Sequence, residues 1–221
     1  MHDRRGHLEY HSTVGALRGE LDRTIELAGR TPADRAIPTC PGWSAADLLE
    51  HLGTVHRWAA AMIEARATEP ISRRNLDVDA PTDDDWAPWI SAGAHRLLVA
   101  LESTHPDESV WTWGGGHDAR WWARRQLHET AVHDADLALA LGEAYELDEF
   151  VAADGICELL DNAAARLTWP DATPSLLDAT VHLHATDADT DTGEPLLGDD
   201  GEWMVTMTDG AVSYTHGHGK G

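Results

Sequence analysis

Apolar residues recur every three or four positions through most of the chain, the spacing that buries one face of a helix. Leu17, Leu21, Ile25 and Ala28 mark a first helix over residues 8–29, with Gly29 as its C-cap. Leu48, Leu52, Val55, Ala59, Met62 and Ile63 make the stripe of a second, over residues 45–67. Ser44 precedes it and Asp47 follows three residues on, the pattern of a capping box. His51 and His56 border that stripe on opposite flanks. Trp86, Trp89, Ile90, Leu97, Leu98 and Leu101 belong to a third helix ending near Ser103. Its start carries Asp83, Asp84 and Asp85, where the helix dipole favours negative charge. A fourth helix spans residues 119–141 and stops at Gly142; a fifth spans residues 148–167, and Trp169, Pro170 and Pro174 end it.

The period then changes from helix to strand. Residues 179–186 alternate with period two. Residues 203–208 and 211–214, joined by Asp209-Gly210, read as a hairpin. The fold class expected is α+β, mainly α: a four-helix bundle over residues 1–170, then a small strand-rich piece over residues 171–221. That piece is too small to bury much core alone, so it packs on the bundle, pairs with another chain or opens a longer domain.

The fourth helix carries the candidate chemistry. Glu129 and His133 are four apart and project side by side, with Arg125 one turn before and Asp136 about one turn after. A carboxylate and an imidazole so placed can share a divalent metal, but a stable site needs at least one more ligand. His51 is the best-placed third. A solvated helix face, with Leu127, Ala131, Ala135 and Ala138 buried instead, is the competing reading. The loop before this helix holds Trp111, Trp113 and three glycines, and no Lys-Ser/Thr pair follows to make it a phosphate cradle. It reads as a pocket rim.

Charge narrows the partners. With 39 acidic against 16 basic residues the formal net charge is −23, which argues against nucleic acid or an anionic membrane surface. The N-terminus has no apolar signal region, and no apolar run approaches membrane-spanning length. A cytoplasmic protein, monomer or homodimer, is expected. Two cysteines are too few for a disulfide framework or a cysteine zinc site. Both read first as small buried thiols, and Cys40 is the better placed to lie near a site.

Residues 37–53, Ile-Pro-Thr-Cys-Pro-Gly-Trp-Ser-Ala-Ala-Asp-Leu-Leu-Glu-His-Leu-Gly, resemble the N-terminal region of the mycothiol-dependent maleylpyruvate isomerase family, part of the wider DinB-like group of metal-binding four-helix bundles. Residues 122–129 with His133 resemble that family's second motif. Residues 181–187 with Trp203 look like the opening of its C-terminal domain, which the family continues further. The resemblance implies a divalent metal, usually zinc, held by His51, Glu129 and His133 with a position left for water or a thiolate. It implies mycothiol, a low-molecular-weight thiol, as cosubstrate, whose thiolate attacks a small electrophile in an isomerase or an S-transferase. Arg125 then pairs with Glu129 or Asp136 or holds a substrate carboxylate. Asp136 orients His133, and Trp111 and Trp113 wall the cofactor pocket.

One departure shifts the expected substrate. The family's isomerase uses a C-terminal arginine for its dicarboxylate, whereas the last arginine here is Arg166 and the strand-rich piece offers only Lys220 beside the acidic stretch 187–200. A thiol transferase acting on a neutral or cationic substrate is therefore expected. Two alternatives use the same triad: a zinc-water, hydrolase-like enzyme, and a metal-stabilised binding module without catalysis in which His56 or His128 closes the coordination.

Overall fold

The computed structural model describes residues 8–76, 78–81, 85–166, 178–188, 191–208 and 211–217. Four helices make up most of the first compact unit: α1 (Tyr10–Arg30), α2 (Ala45–Glu64), α3 (Trp86–Glu102) and α4 (Ala119–Leu141). Within it α2 packs on α3 and α4, and α1 packs on the same two helices. The stripes read from the sequence are the ones that meet: Leu17, Leu21, Leu48, Leu52, Met62, Ile63, Ile90, Leu97 and Leu101 are all fully buried. Trp122 joins them from α4 and packs edge-on against Trp58.

The ends of α2 decide where its side chains point. At the start, Ser44 and Asp47 form the expected capping box, each side chain reaching the other's backbone N–H. The helix stops at Glu64, three residues short of the expected end at 67. The backbone turns left-handed at Arg66 (φ 44°), which has no glycine to announce it. In its middle, Gly53 lets the Trp89 ring of α3 lie on the backbone: a Cβ there would sit 2.1 Å from a ring carbon. Arg57, one turn on, covers the same ring with its guanidinium 4.1 Å from the centroid.

The α4 boundaries agree with the sequence reading. Asp118 caps its start by accepting the Trp121 N–H, and Gly142 closes its end in the left-handed region. Of the acidic start expected for α3, Asp85 makes no side-chain capping bond, and Asp83 and Asp84 lie outside the described residues.

The second compact unit takes in residues 113–115 and the chain from Leu147 onward, together with Leu8 and Glu9. It contains α5 (Glu149–Arg166) and the strands β1 (Ala179–His184), β2 (Glu202–Thr208) and β3 (Ala211–His216), in antiparallel order β1-β2-β3. The reason α5 groups with the strands is its apolar face. Ala153 and Cys157 are buried with Trp203 and Val205 of β2, and the Tyr214 hydroxyl of β3 donates to Asp161. The hairpin register pairs Thr208 with Ala211; the Asp209-Gly210 turn, the 167–177 connection and the tail from His218 lie outside the described residues. Among the described residues no helix is long and apolar enough to cross a membrane.

Candidate metal centre

His51 projects from the middle of α2, and Glu129 and His133 from successive turns of α4. The Nε2 of His51 lies 3.0 Å from Glu129 Oε1, and the Nε2 of His133 lies 3.7 Å from the same oxygen. The two imidazoles meet edge to face, 5.2 Å between centroids and 81° between planes. One donor atom from each residue lies within 4.8 Å of the other two. Tetrahedral zinc with bonds of about 2.0–2.1 Å spaces neighbouring donors at about 3.3 Å, so this set fits a single cation with small adjustments. Side-chain exposures of 29, 21 and 15 % for His51, Glu129 and His133 leave the group open to an incoming ligand. The apolar stripe of the competing reading forms, since Leu127, Ala131 and Ala138 are buried, but Glu129 and His133 are only partly exposed and meet His51 of α2 instead of standing apart in solvent.

Each of these donors is steadied from behind. Arg125 Nη2 donates to Glu129 Oε2 at 2.9 Å, which leaves Oε1 to face both imidazoles. Asp136 Oδ2 lies 2.9 Å from His133 Nδ1. With the proton held at Nδ1, the lone pair sits on Nε2, toward Glu129. Thr39 donates its hydroxyl to the other oxygen of Asp136 at 2.6 Å, and the Cys40 thiol lies 3.8 Å from Oδ2. Burial pushes the Glu129 carboxyl up, but hydrogen bonds from His133 and His51 and the charge of Arg125 outweigh it and hold the group well below the usual carboxylate range. Burial pushes His133 down, and Glu129 and Asp136 reverse that and raise it. For Cys40, burial first and the Asp136 charge second raise the thiol, so it stays protonated and serves as a donor.

Thr39, Cys40 and Trp43 belong to two successive tight turns. Cys40 N–H bonds the Ile37 carbonyl with Pro38 second in the turn, and Trp43 N–H bonds the Cys40 carbonyl with Pro41-Gly42 between them. Gly42 has φ 88°, the value a type II turn demands at its third residue and that only glycine adopts without strain. An Ile37–Trp43 backbone bond closes the loop, and the buried Ile37 side chain anchors it in the core with Leu48, Leu49 and Leu137. Trp43 is thereby set against His51, 5.4 Å between ring centroids. Sequence reasoning passed over Thr39 and Trp43. Their position just before the N-cap of the helix bearing His51 was the available signal.

A cleft of about 540 Å³ opens beside His51. Trp43, Thr54, Asp47 and Glu50 line it, and Arg73 supplies a positive charge. Trp111 is not among the lining residues; its N–H bonds the Ala67 carbonyl and its own carbonyl takes the Trp122 indole N–H. Trp113 falls with the second unit. His56 does not join the triad. It is fully buried, and its Nε2 donates to Thr130, whose hydroxyl is already donating to the Gln126 carbonyl. Burial pushes its pKa down to about 3. His128 is buried and does not join the triad either.

Residues 14–138 match the family model of the mycothiol maleylpyruvate isomerase N-terminal domain. The chain belongs to this family. The mycothiol maleylpyruvate isomerase N-terminal domain thus takes in most of the helical bundle, with the 39–43 turn, His51 and the whole strip from Arg125 to Asp136 inside it. Helix α5 and the sheet lie beyond the matched segment. No curated protein and no solved structure matches the chain.

Proposed function

We propose that this protein is a metal-dependent enzyme that activates a low-molecular-weight thiol of the mycothiol type and transfers it to a small neutral or cationic electrophile. The observation that carries the reading is the meeting of His51, Glu129 and His133 around one carboxylate oxygen in a chain of this family. Two imidazoles and one carboxylate suit zinc and leave a coordination position for a further ligand. When bound, such a cation supplies the Lewis acidity that keeps a thiol ionised near neutral pH.

The chain's own residues supply the rest. Asp136 holds the proton on His133 Nδ1 and so keeps Nε2 a donor. Arg125 holds one oxygen of Glu129 and is thereby engaged away from a substrate carboxylate. The cleft beside His51 presents Asp47 and Glu50 against Arg73, a balance that favours neutral or cationic substrates over dianions.

Metal analysis of the purified chain beside His51→Ala, followed by thiol titration of the cobalt-substituted protein, tests this. One metal per chain, absent from the variant, with a thiolate-to-cobalt absorption band is the expected result. Metal without that band overturns thiol activation and turns the reading to water activation or a structural ion. Folded protein that takes up no zinc overturns the site itself.

A further inference from the structure

The site's two histidines come from different helices, and one short surface turn reaches both. We infer that the 39–43 turn is the positioning device of the metal site, acting on His133 through Thr39 and Asp136 and on His51 through the Trp43 ring. The inference rests on the metal reading above and goes beyond it, because none of these turn residues is a ligand.

Three observations support it. First, the turn holds Asp136 at both of its oxygens. Thr39 Oγ1 is 2.6 Å from Oδ1, Cys40 Sγ is 3.8 Å from Oδ2, and the remaining direction of Oδ2 goes to His133 at 2.9 Å. A carboxylate gripped at both oxygens cannot swing, so the imidazole it holds keeps its orientation. Second, Trp43 is 37 % exposed yet lies against His51, tilted 59° to it. An exposed tryptophan that spends one face on an imidazole restricts the rotation of that ring and leaves its other surface to the cleft it lines. Third, the turn itself is rigid. Pro38 and Pro41 fix two φ angles, Gly42 supplies the left-handed residue, and three backbone bonds tie 37–43 together. Thr39 and Trp43 therefore move as one body, and the two ligands are held in register by a segment 97 residues from Asp136 in the chain.

The test uses the full chain. Zinc affinity by chelator competition and the visible spectrum of the cobalt form are measured for wild type, Thr39→Val, Thr39→Ser, Trp43→Leu and, as a no-site control, Glu129→Ala. Thr39→Val keeps the shape and removes the donor. It should weaken zinc by about 10- to 100-fold and shift the cobalt bands, with the metal-free urea midpoint close to wild type. Thr39→Ser restores the hydroxyl and should return both readouts toward wild type. Trp43→Leu should weaken zinc by about tenfold from the His51 side, and it carries the test alone if circular dichroism shows Thr39→Val unfolded. Wild-type zinc affinity and an unshifted cobalt spectrum in both Thr39→Val and Trp43→Leu overturn the inference while leaving the metal site standing. Wild-type protein that binds no more zinc than Glu129→Ala overturns the metal reading and this inference together.

Discussion

The bundle and the sheet each bring together two histidines and a glutamate, and they do it with opposite geometry. In the bundle, His51 and His133 both face Glu129 Oε1, with ring planes 81° apart. In the sheet, His182 takes Glu202 Oε2 at 2.8 Å, His184 lies 3.9 Å from the other oxygen, and the two rings are nearly parallel, 15° apart with centroids separated by 6.1 Å. Residues two apart on a strand project the same way from one face, so their rings stack and their nitrogens stay side by side. Residues four apart on α4, met by a third from α2, approach a point from different directions. Composition alone does not make a ligand set. The His/Glu/His group whose donors all lie within 4.8 Å is the helical one.

The comparison can be broken first, and with the largest effect, by linkage to zinc. At a zinc concentration about 1,000 times Kd, unfolding of the helical unit should gain about 4 kcal/mol in wild type and equally in His182→Ala/His184→Ala, and nothing in Glu129→Ala. Urea curves with and without zinc measure this. Loss of the gain in the sheet variant would mean that the sheet set, not the helical one, is the stronger binder. Next in size is Gly53→Ala. The added methyl meets the Trp89 ring 2.1 Å away, so overpacking should destabilise the bundle by about 1–3 kcal/mol and loosen the α2 turn that holds His51.

Acid sharpens the contrast between a dry helical interior and a wet strand face. His56, with Glu129, Arg57, His133 and His51 around it, is pushed from 6.5 down to about 3 by burial. Between those values the unfolded chain binds a proton that the native bundle does not. Stability should therefore fall on acidification, approaching about 1.4 kcal/mol per pH unit from this residue alone. His56→Gln, which can keep the Thr130 bond, should flatten the slope; identical slopes in variant and wild type would show that His56 titrates normally in the fold. The smallest effect is at Ser44. Its replacement by Ala removes one half of the capping box and should cost about 1 kcal/mol while metal content stays unchanged.

Much of this was legible in local pattern. The α4 boundaries followed from apolar spacing and Gly142, the α2 start from Ser44 and Asp47, and the strands from period two. Glu129 and His133 came from helical spacing, and His51 from its place beside an apolar stripe. What sequence could not show depends on contacts distant along the chain. The attachment of α5 to the strands lies in Cys157 meeting Trp203, and the grip on Asp136 lies in Thr39 reaching α4. Trp111 and Trp113 read as a pocket wall because clustered tryptophans often line pockets and three glycines follow them in the same loop. Here it is Trp43, on a proline-rich turn, that borders the cleft.

The span between His51 and Glu129 is 78 residues, and neither α2 nor α4 alone offers more than two donors. A cation that only the docked pair can chelate has no full coordination sphere until both helices are in place. Such a cation binds the docked pair and not the separated helices, so by mass action it favours the folded bundle over every state in which α2 and α4 are apart. Loading the centre would thin the population of globally opened molecules, which makes ion occupancy a brake on proteolysis wherever cleavage waits on that opening.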